Sequence, residues 1–161
     1  LPICAFAAPL EDIEGHWAEK QIEIWLENEL LLGYLDATFH PDQPITRAEF
    51  VTIINRIFGI KAEDGEVTFS DVPKGSIYFA EVAAAVKAGY ISGYPDGTFR
   101  PDQLITREEA AVIITRILGL KGGEELKFTD NHEIAPWAKE AVKALFAGLS
   151  APCSVEVTAS G

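Results

Sequence analysis

The 161-residue sequence has no methionine, two cysteines, three histidines, and only 13 lysines and arginines against 25 aspartates and glutamates. Each shortage excludes something. A chain without methionine lacks its own start, which predicts that something precedes Leu1 in the primary product. Cys4 and Cys153 stand at opposite ends, with no second Cys or His close by, so neither a disulfide framework nor a thiolate metal site is expected. His16, His40 and His132 lack metal-ligand spacing, and no Ser, Cys or carboxylate pair stands out as a nucleophile or acid–base dyad. The residues therefore call for no metal, no cofactor and no catalysis. A net charge of −12 repels nucleic acid and anionic lipid, so any anionic partner must be caught locally. No apolar run reaches the roughly 18 residues that a membrane span needs.

At 48% hydrophobic, the chain has enough apolar material for a core. Residues 1–10 read as a signal-peptide remnant, with small residues at Ala5 and Ala7 before the charged Glu11-Asp12, although an ordinary apolar N-terminal strand accounts for the same pattern. Residues 150–161 form a tail of different character, suggestive of a frameshift or a fragment end.

Between these ends the sequence repeats. The segment Gly33 to Glu49, containing Tyr34, Asp36, Thr38, Phe39, Pro41, Gln43 and Ile45-Thr46-Arg47, recurs as Gly93 to Glu109 at a constant offset of 60, with eleven or more of seventeen positions identical. A third copy begins but does not finish: Phe69-Ser70-Asp71 is answered by Phe128-Thr129-Asp130, and Ala88-Gly89-Tyr90 by Ala147-Gly148-Leu149. The divisions expected are 11–65, 66–124 and a partial 125–149.

Each repeat reads as helix, turn-rich loop, helix, making the fold all-α. First helices are expected near Trp17–Leu31, Phe79–Ala88 and Pro136–Ala147, and second helices from Arg47 and Arg107 to the stops at Gly59 and Gly119. The apolar stripes Phe50, Ile53, Ile54, Ile57 and Ala110, Ile113, Ile114, Ile117 should meet the core. Tyr94-Pro95-Asp96-Gly97 is a strong β-turn sequence.

Thr46 with Glu49, and Thr106 with Glu109, have the spacing of a capping box. That explains Thr and Glu and leaves Arg unexplained, because a cation at the first helical position meets the positive end of the macrodipole. Two readings stay open. Arg47 and Arg107, beside free backbone N–H groups, make a site for a carboxylate or phosphate, or each forms a structural bridge to Asp36, Asp71, Asp96 or Asp130 in a neighbouring repeat. Trp17 and Trp137, at the entrances of first helices, suit either core wedges or stacking platforms for a sugar.

Taken together, the aromatic-x-Asp opening, the Ala-Gly-Tyr-Ile helix end, Ser-Gly-Tyr-Pro-Asp-Gly-Thr-Phe-Arg-Pro and Ile-Thr-Arg-Glu-Glu resemble the S-layer homology family over roughly residues 11–149. The resemblance implies a pseudo-threefold helical bundle whose inter-repeat grooves bind secondary cell-wall polysaccharide, often through pyruvylated N-acetylmannosamine. It further implies a secreted protein held on the cell wall without catalysis. By position, Arg47 and Arg107 would be the charge partners, Asp71, Asp130, Trp17 and Trp137 would line grooves, and Gly33-Tyr34 and Gly93-Tyr94 would give backbone and ring contacts. Departures are Leu35 and Ala37 in the first turn, Tyr78 or Phe79 where other repeats have Trp, and no Thr-Arg-x-Glu in the third repeat. That last gap favours a homo-oligomer or completion by a longer chain. Two other classes remain: a self-assembly or protein–protein module, and a fragment of a surface hydrolase whose catalytic domain lies elsewhere.

Overall fold

The computed structural model describes residues 10–34, 36–61, 66–126 and 128–150; the expected signal remnant up to residue 9, Leu35, and the tail from 151, with both cysteines, lie outside them. Five helices follow a short 3-10 turn at Glu11–Ile13: α1 (Glu19–Glu27), α2 (Arg47–Phe58), α3 (Phe79–Lys87), α4 (Arg107–Ile117) and α5 (Lys139–Ser150). Among the described residues there is no strand, only an isolated antiparallel bridge between Thr46 and Leu104, so the all-α expectation holds.

Two compact units divide the chain. The first holds α1, α2, α3 and the turn 93–104, and in it α2 packs on α3. Leu10, Ile13 and Ile22 cluster with Ala18, Leu26 and Phe39, fixing α1 to the first turn. The second holds 89–92, α4 and α5, with Tyr90, Ile113 and Ala144 among its buried residues, and α4 packs on α5. The 60-residue offset reappears in these pairings. Asn55 of α2 donates to the Glu81 carbonyl at 3.0 Å, and Thr115 of α4 donates to the Ala141 carbonyl at 3.0 Å. Each is a buried polar group satisfied by the backbone of the next helix.

Both capping boxes form: Thr46 and Thr106 each accept the amide three residues on, and Glu49 and Glu109 return to the cap amide. Gly59, with φ of 62°, ends α2 in the left-handed region. Helix α1 is shorter than the periodicity predicts. Asn28 bonds the Ile24 carbonyl at 2.6 Å, Glu29 turns left-handed at φ 57°, and the amides of Leu30 and Leu31 fold back on Trp25. Helix α5 starts later than expected, since Ala138 closes a turn on Ala135 and the helix runs from Lys139. The buried face of α2 is Ala48, Val51, Ile54 and Asn55, while Ile57 and Phe58 are exposed. Ala48 near its start is buried and gives its amide to the Pro101 carbonyl of the second turn, so the buried face differs from the expected stripe.

Candidate functional site

The turn of each repeat is a rigid frame built from its own sequence. In the second, the Gly97 amide donates to the Tyr94 carbonyl at 3.0 Å and the Tyr94 amide to the Thr98 carbonyl at 2.8 Å, with Gly97 at φ 78°. Asp96 accepts both the amide and the hydroxyl of Thr98, at 3.0 and 2.6 Å, and pairs with Arg100 at 2.9 Å. The Thr98 hydroxyl and the guanidinium together hold the Asp96 carboxyl down from 3.8 to about 2. In the first turn, Asp36 accepts from Thr38 in the same way, lying below its ordinary range mainly through the Thr38 hydroxyl, and Ala37 takes the left-handed conformation at φ 63°. Alanine there is strained where the second repeat has glycine.

Lowered carboxyl pKa values set the acid behaviour. A group that ionises more readily folded than unfolded adds stability above its unfolded pKa and loses it as pH falls toward the folded value. The second turn should therefore hold to about pH 4 and loosen between about 4 and 2. Nuclear magnetic resonance shifts of Thr98 and Gly97 followed through an acid titration would show it, and Asp96→Asn should remove that step.

The resemblance makes Asp71 a groove-lining residue. Its carboxylate accepts the amides of Phe99 at 2.8 Å and Arg100 at 2.7 Å, tying the second repeat's opening to its own turn. Asp12 does the same for Phe39 and His40, the latter at 2.6 Å. Desolvation pushes Asp12 up, but those two amides outweigh it and hold the carboxyl below its usual value. Asp130 is exposed, and among the described residues its carboxylate accepts no hydrogen bond.

Arg47 is buried, at 5% exposure. Its Nε donates to the Phe99 carbonyl at 3.0 Å, and its guanidinium lies over the rings of Tyr94 and Phe99, 4.8 and 5.0 Å from their centres. The backbone amides expected to be free at this helix start are occupied: Arg47 donates to the Gln103 carbonyl at 2.9 Å and Ala48 to Pro101 at 3.0 Å. Carbonyl oxygens of the second turn thus face this helix start, and their partial negative charge eases the dipole conflict there. Arg100 covers Tyr94 as well, at 3.9 Å. Arg107 is exposed, as are Trp17 at 90% and Trp137 at 59%, so both tryptophans are surface rings rather than core wedges.

Gly33 and Tyr34 open on a cleft of about 410 Å³ in the first unit. Its walls are the first turn, the outer face of α2 and Tyr78 at the entrance of α3. Ile77, rather than Tyr78 or Phe79, holds the position of Trp17 and Trp137, since the amides of Ile22, Val82 and Val142 donate to the carbonyls of Ala18, Tyr78 and Ala138. Tyr34 and His40 lie 5.0 Å apart, ring to ring, and Arg56 contributes an exposed cation. Glu49 also lines the cleft, but its carboxylate is engaged by the Thr46 amide and hydroxyl at 2.8 and 2.9 Å. Burial, with Asp102, Glu49 and Tyr34 nearby, raises the Tyr78 phenol above its usual pKa, so it stays a hydrogen-bond donor at neutral pH. Gly93 and Tyr94 lie away from this cleft, in the turn gripped by Arg47. Arg56 and His40 are the residues that motif reading passed over. Arg56 had a signal, since Arg116 stands 60 residues on, where it donates to the Ser92 hydroxyl at 3.0 Å. Among the described residues no group of three His, Cys, Asp or Glu could hold a metal, and no helix is long and apolar enough to cross a membrane.

Comparison with known proteins bears on this arrangement. The chain is 39% identical over 123 residues to a cellulosome-anchoring protein of Acetivibrio thermocellus, covering 73% of this chain and 28% of that protein. It is 33% identical over 138 residues to a surface-layer 125 kDa protein of Lysinibacillus sphaericus, 84% and 12% respectively. An amylopullulanase of Thermoanaerobacterium thermosulfurigenes is 37% identical over 138 residues, but the match spans only 7% of that enzyme. The S-layer homology domain pattern matches at residues 9–51 and 68–111, more than half of the chain, and the chain belongs to that family.

Proposed function

We propose that this chain is a non-catalytic module that attaches its parent protein to the bacterial cell wall by binding a secondary cell-wall polysaccharide. The relatives named for anchoring and for the surface layer support wall attachment. The small share of the amylopullulanase that matches supports assigning its catalysis to the unmatched remainder. One observation carries the finer reading: a cleft of about 410 Å³ with two tyrosine rings, a histidine and an exposed arginine along its walls. Tyr34 and Tyr78 offer faces for sugar rings, and Arg56 offers a fork for a carboxylate such as that of a pyruvyl group. Arg47 acts in this reading as a positioning residue, holding the neighbouring turn. The acidic remainder of the surface rejects polyanions that lack a fitting sugar.

Sedimentation with purified walls tests the proposal. The parent chain should be retained on walls carrying the polymer and released from walls stripped of it, and Arg56→Gln should weaken retention about tenfold, the loss of one charge-assisted bidentate contact. Equal retention on stripped walls would refute polysaccharide binding, and full retention by the variant would remove Arg56 from it.

A further inference from the structure

The turn that docks on the start of α2 has a twin. Tyr94, Phe99, Pro101 and Gln103, whose rings and carbonyls meet Arg47 and Ala48, recur as Tyr34, Phe39, Pro41 and Gln43. The two turns share their internal geometry, with the Tyr34 and Tyr94 amides both 2.8 Å from a threonine carbonyl. The receiving helix start has a twin too: Thr106-Arg107 begins α4 with the same capping box as Thr46-Arg47. Yet Arg107 is exposed where Arg47 is buried, and among the described residues the amides of Arg107 and Glu108 donate to no other segment. The first turn is exposed at Tyr34, His40, Gln43 and Pro44. Among the described residues, one turn and one helix start take no part in such a contact, and their chemistry matches an interface the molecule already contains.

We propose that the first turn of one molecule docks on the start of α4 of a second copy of this chain, joining the two head to tail. Arg107 then covers Tyr34 and donates to the Phe39 carbonyl, while the amides of Arg107 and Glu108 take the carbonyls of Gln43 and Pro41. The contact relieves at α4 the same cation–dipole conflict that the second turn relieves at α2. Glu108 keeps its existing bond to the Ala135 amide, because that bond uses its side chain. Docking in both directions closes a dimer, and docking in one direction extends a chain. Tyr34, Phe39, Pro41 and Gln43 also line the glycan cleft, whereas Arg107 does not, so a change at Arg107 tests docking while leaving the cleft intact.

Sedimentation equilibrium of the parent and of Arg107→Glu is the test. Glutamate at the first helical position favours the macrodipole, so the variant keeps its helix while turning a carboxylate toward carbonyl oxygens. The parent should associate reversibly with concentration, and the variant should associate at least about tenfold more weakly with an unchanged circular dichroism spectrum. A parent that stays monomeric, or a variant that associates as tightly, would overturn the proposal. Position is checked by mixing two populations, both with Cys4→Ser and Cys153→Ser, one carrying Pro44→Cys and the other Thr106→Cys. These positions match the bridged pair Leu104 and Thr46. A disulfide-linked pair should form on mixing, and its absence in a sample that does associate would place the contact elsewhere.

Discussion

Arg47→Ala should destabilise the fold by about 3 kcal/mol, summing a lost charge-assisted hydrogen bond of roughly 1.5–3 and cation–π contacts of roughly 0.5–2. The magnitude follows from burial: at 5% exposure the side chain faces the Phe99 carbonyl and two aromatic rings, and truncation leaves that carbonyl without its donor. Arg47→Lys keeps the charge and should still cost about 2 kcal/mol, because an ammonium cannot lie flat over Tyr94 while donating from Nε geometry. Arg107→Ala, at an exposed position, should stay within about 0.5 kcal/mol in the monomer. Urea denaturation of the three variants checks this at protein concentrations low enough to suppress association. Equal losses at Arg47 and Arg107 would show that the two arginines are equivalent and that the buried contact is not what holds Arg47.

The different settings of the two arginines, one buried and one exposed, mark where the legibility of the sequence ends. The capping boxes were legible because every group in them lies within four residues, and residue type alone decides whether they form. The repeat was legible because identity at a fixed offset needs no geometry. The dipole conflict at Arg47 was also legible, but not its resolution. The groups that resolve it are backbone carbonyls of Phe99, Pro101 and Gln103, which any sequence would supply, so no residue type announces them. Asp71 illustrates the same limit, since its acceptors' partners are the amides of Phe99 and Arg100, 28 and 29 residues away. Side-chain chemistry is written in the sequence; which backbone it meets is decided by how the repeats pack. Trp17 and Trp137 were undecidable for a related reason, because an amphipathic ring at a helix entrance serves core or surface equally until its neighbours are placed.

The glycines before the turn tyrosines follow this logic to the largest expected effect. The resemblance gives Gly93 backbone contacts with a ligand, and its environment adds a packing reason for glycine. A Cβ there would stand 2.6 Å from the Thr98 carbonyl oxygen and run into the edge of the Phe69 ring. Neither neighbour can withdraw cheaply. The Thr98 carbonyl is held by the Tyr94 amide at 2.8 Å, and Phe69 is stacked on Phe99, itself fully buried with its amide fixed by Asp71. At Gly33 the corresponding Cβ meets the Thr38 carbonyl at 2.8 Å, but its other neighbours are flexible Leu10 methyls at 3.6 and 3.7 Å. Gly93→Ala should therefore cost about 3 kcal/mol or more, at the upper end for overpacking, and Gly33→Ala about 1 kcal/mol. Adding Phe69→Ala to Gly93→Ala removes one of the two collisions, so the double variant should lose less than the two single changes summed. Thermal and urea unfolding of the four proteins gives the coupling directly. If the losses simply add, the ring and the glycine do not share the space that the packing assigns to them, and Gly93 must owe its place to something other than the fold.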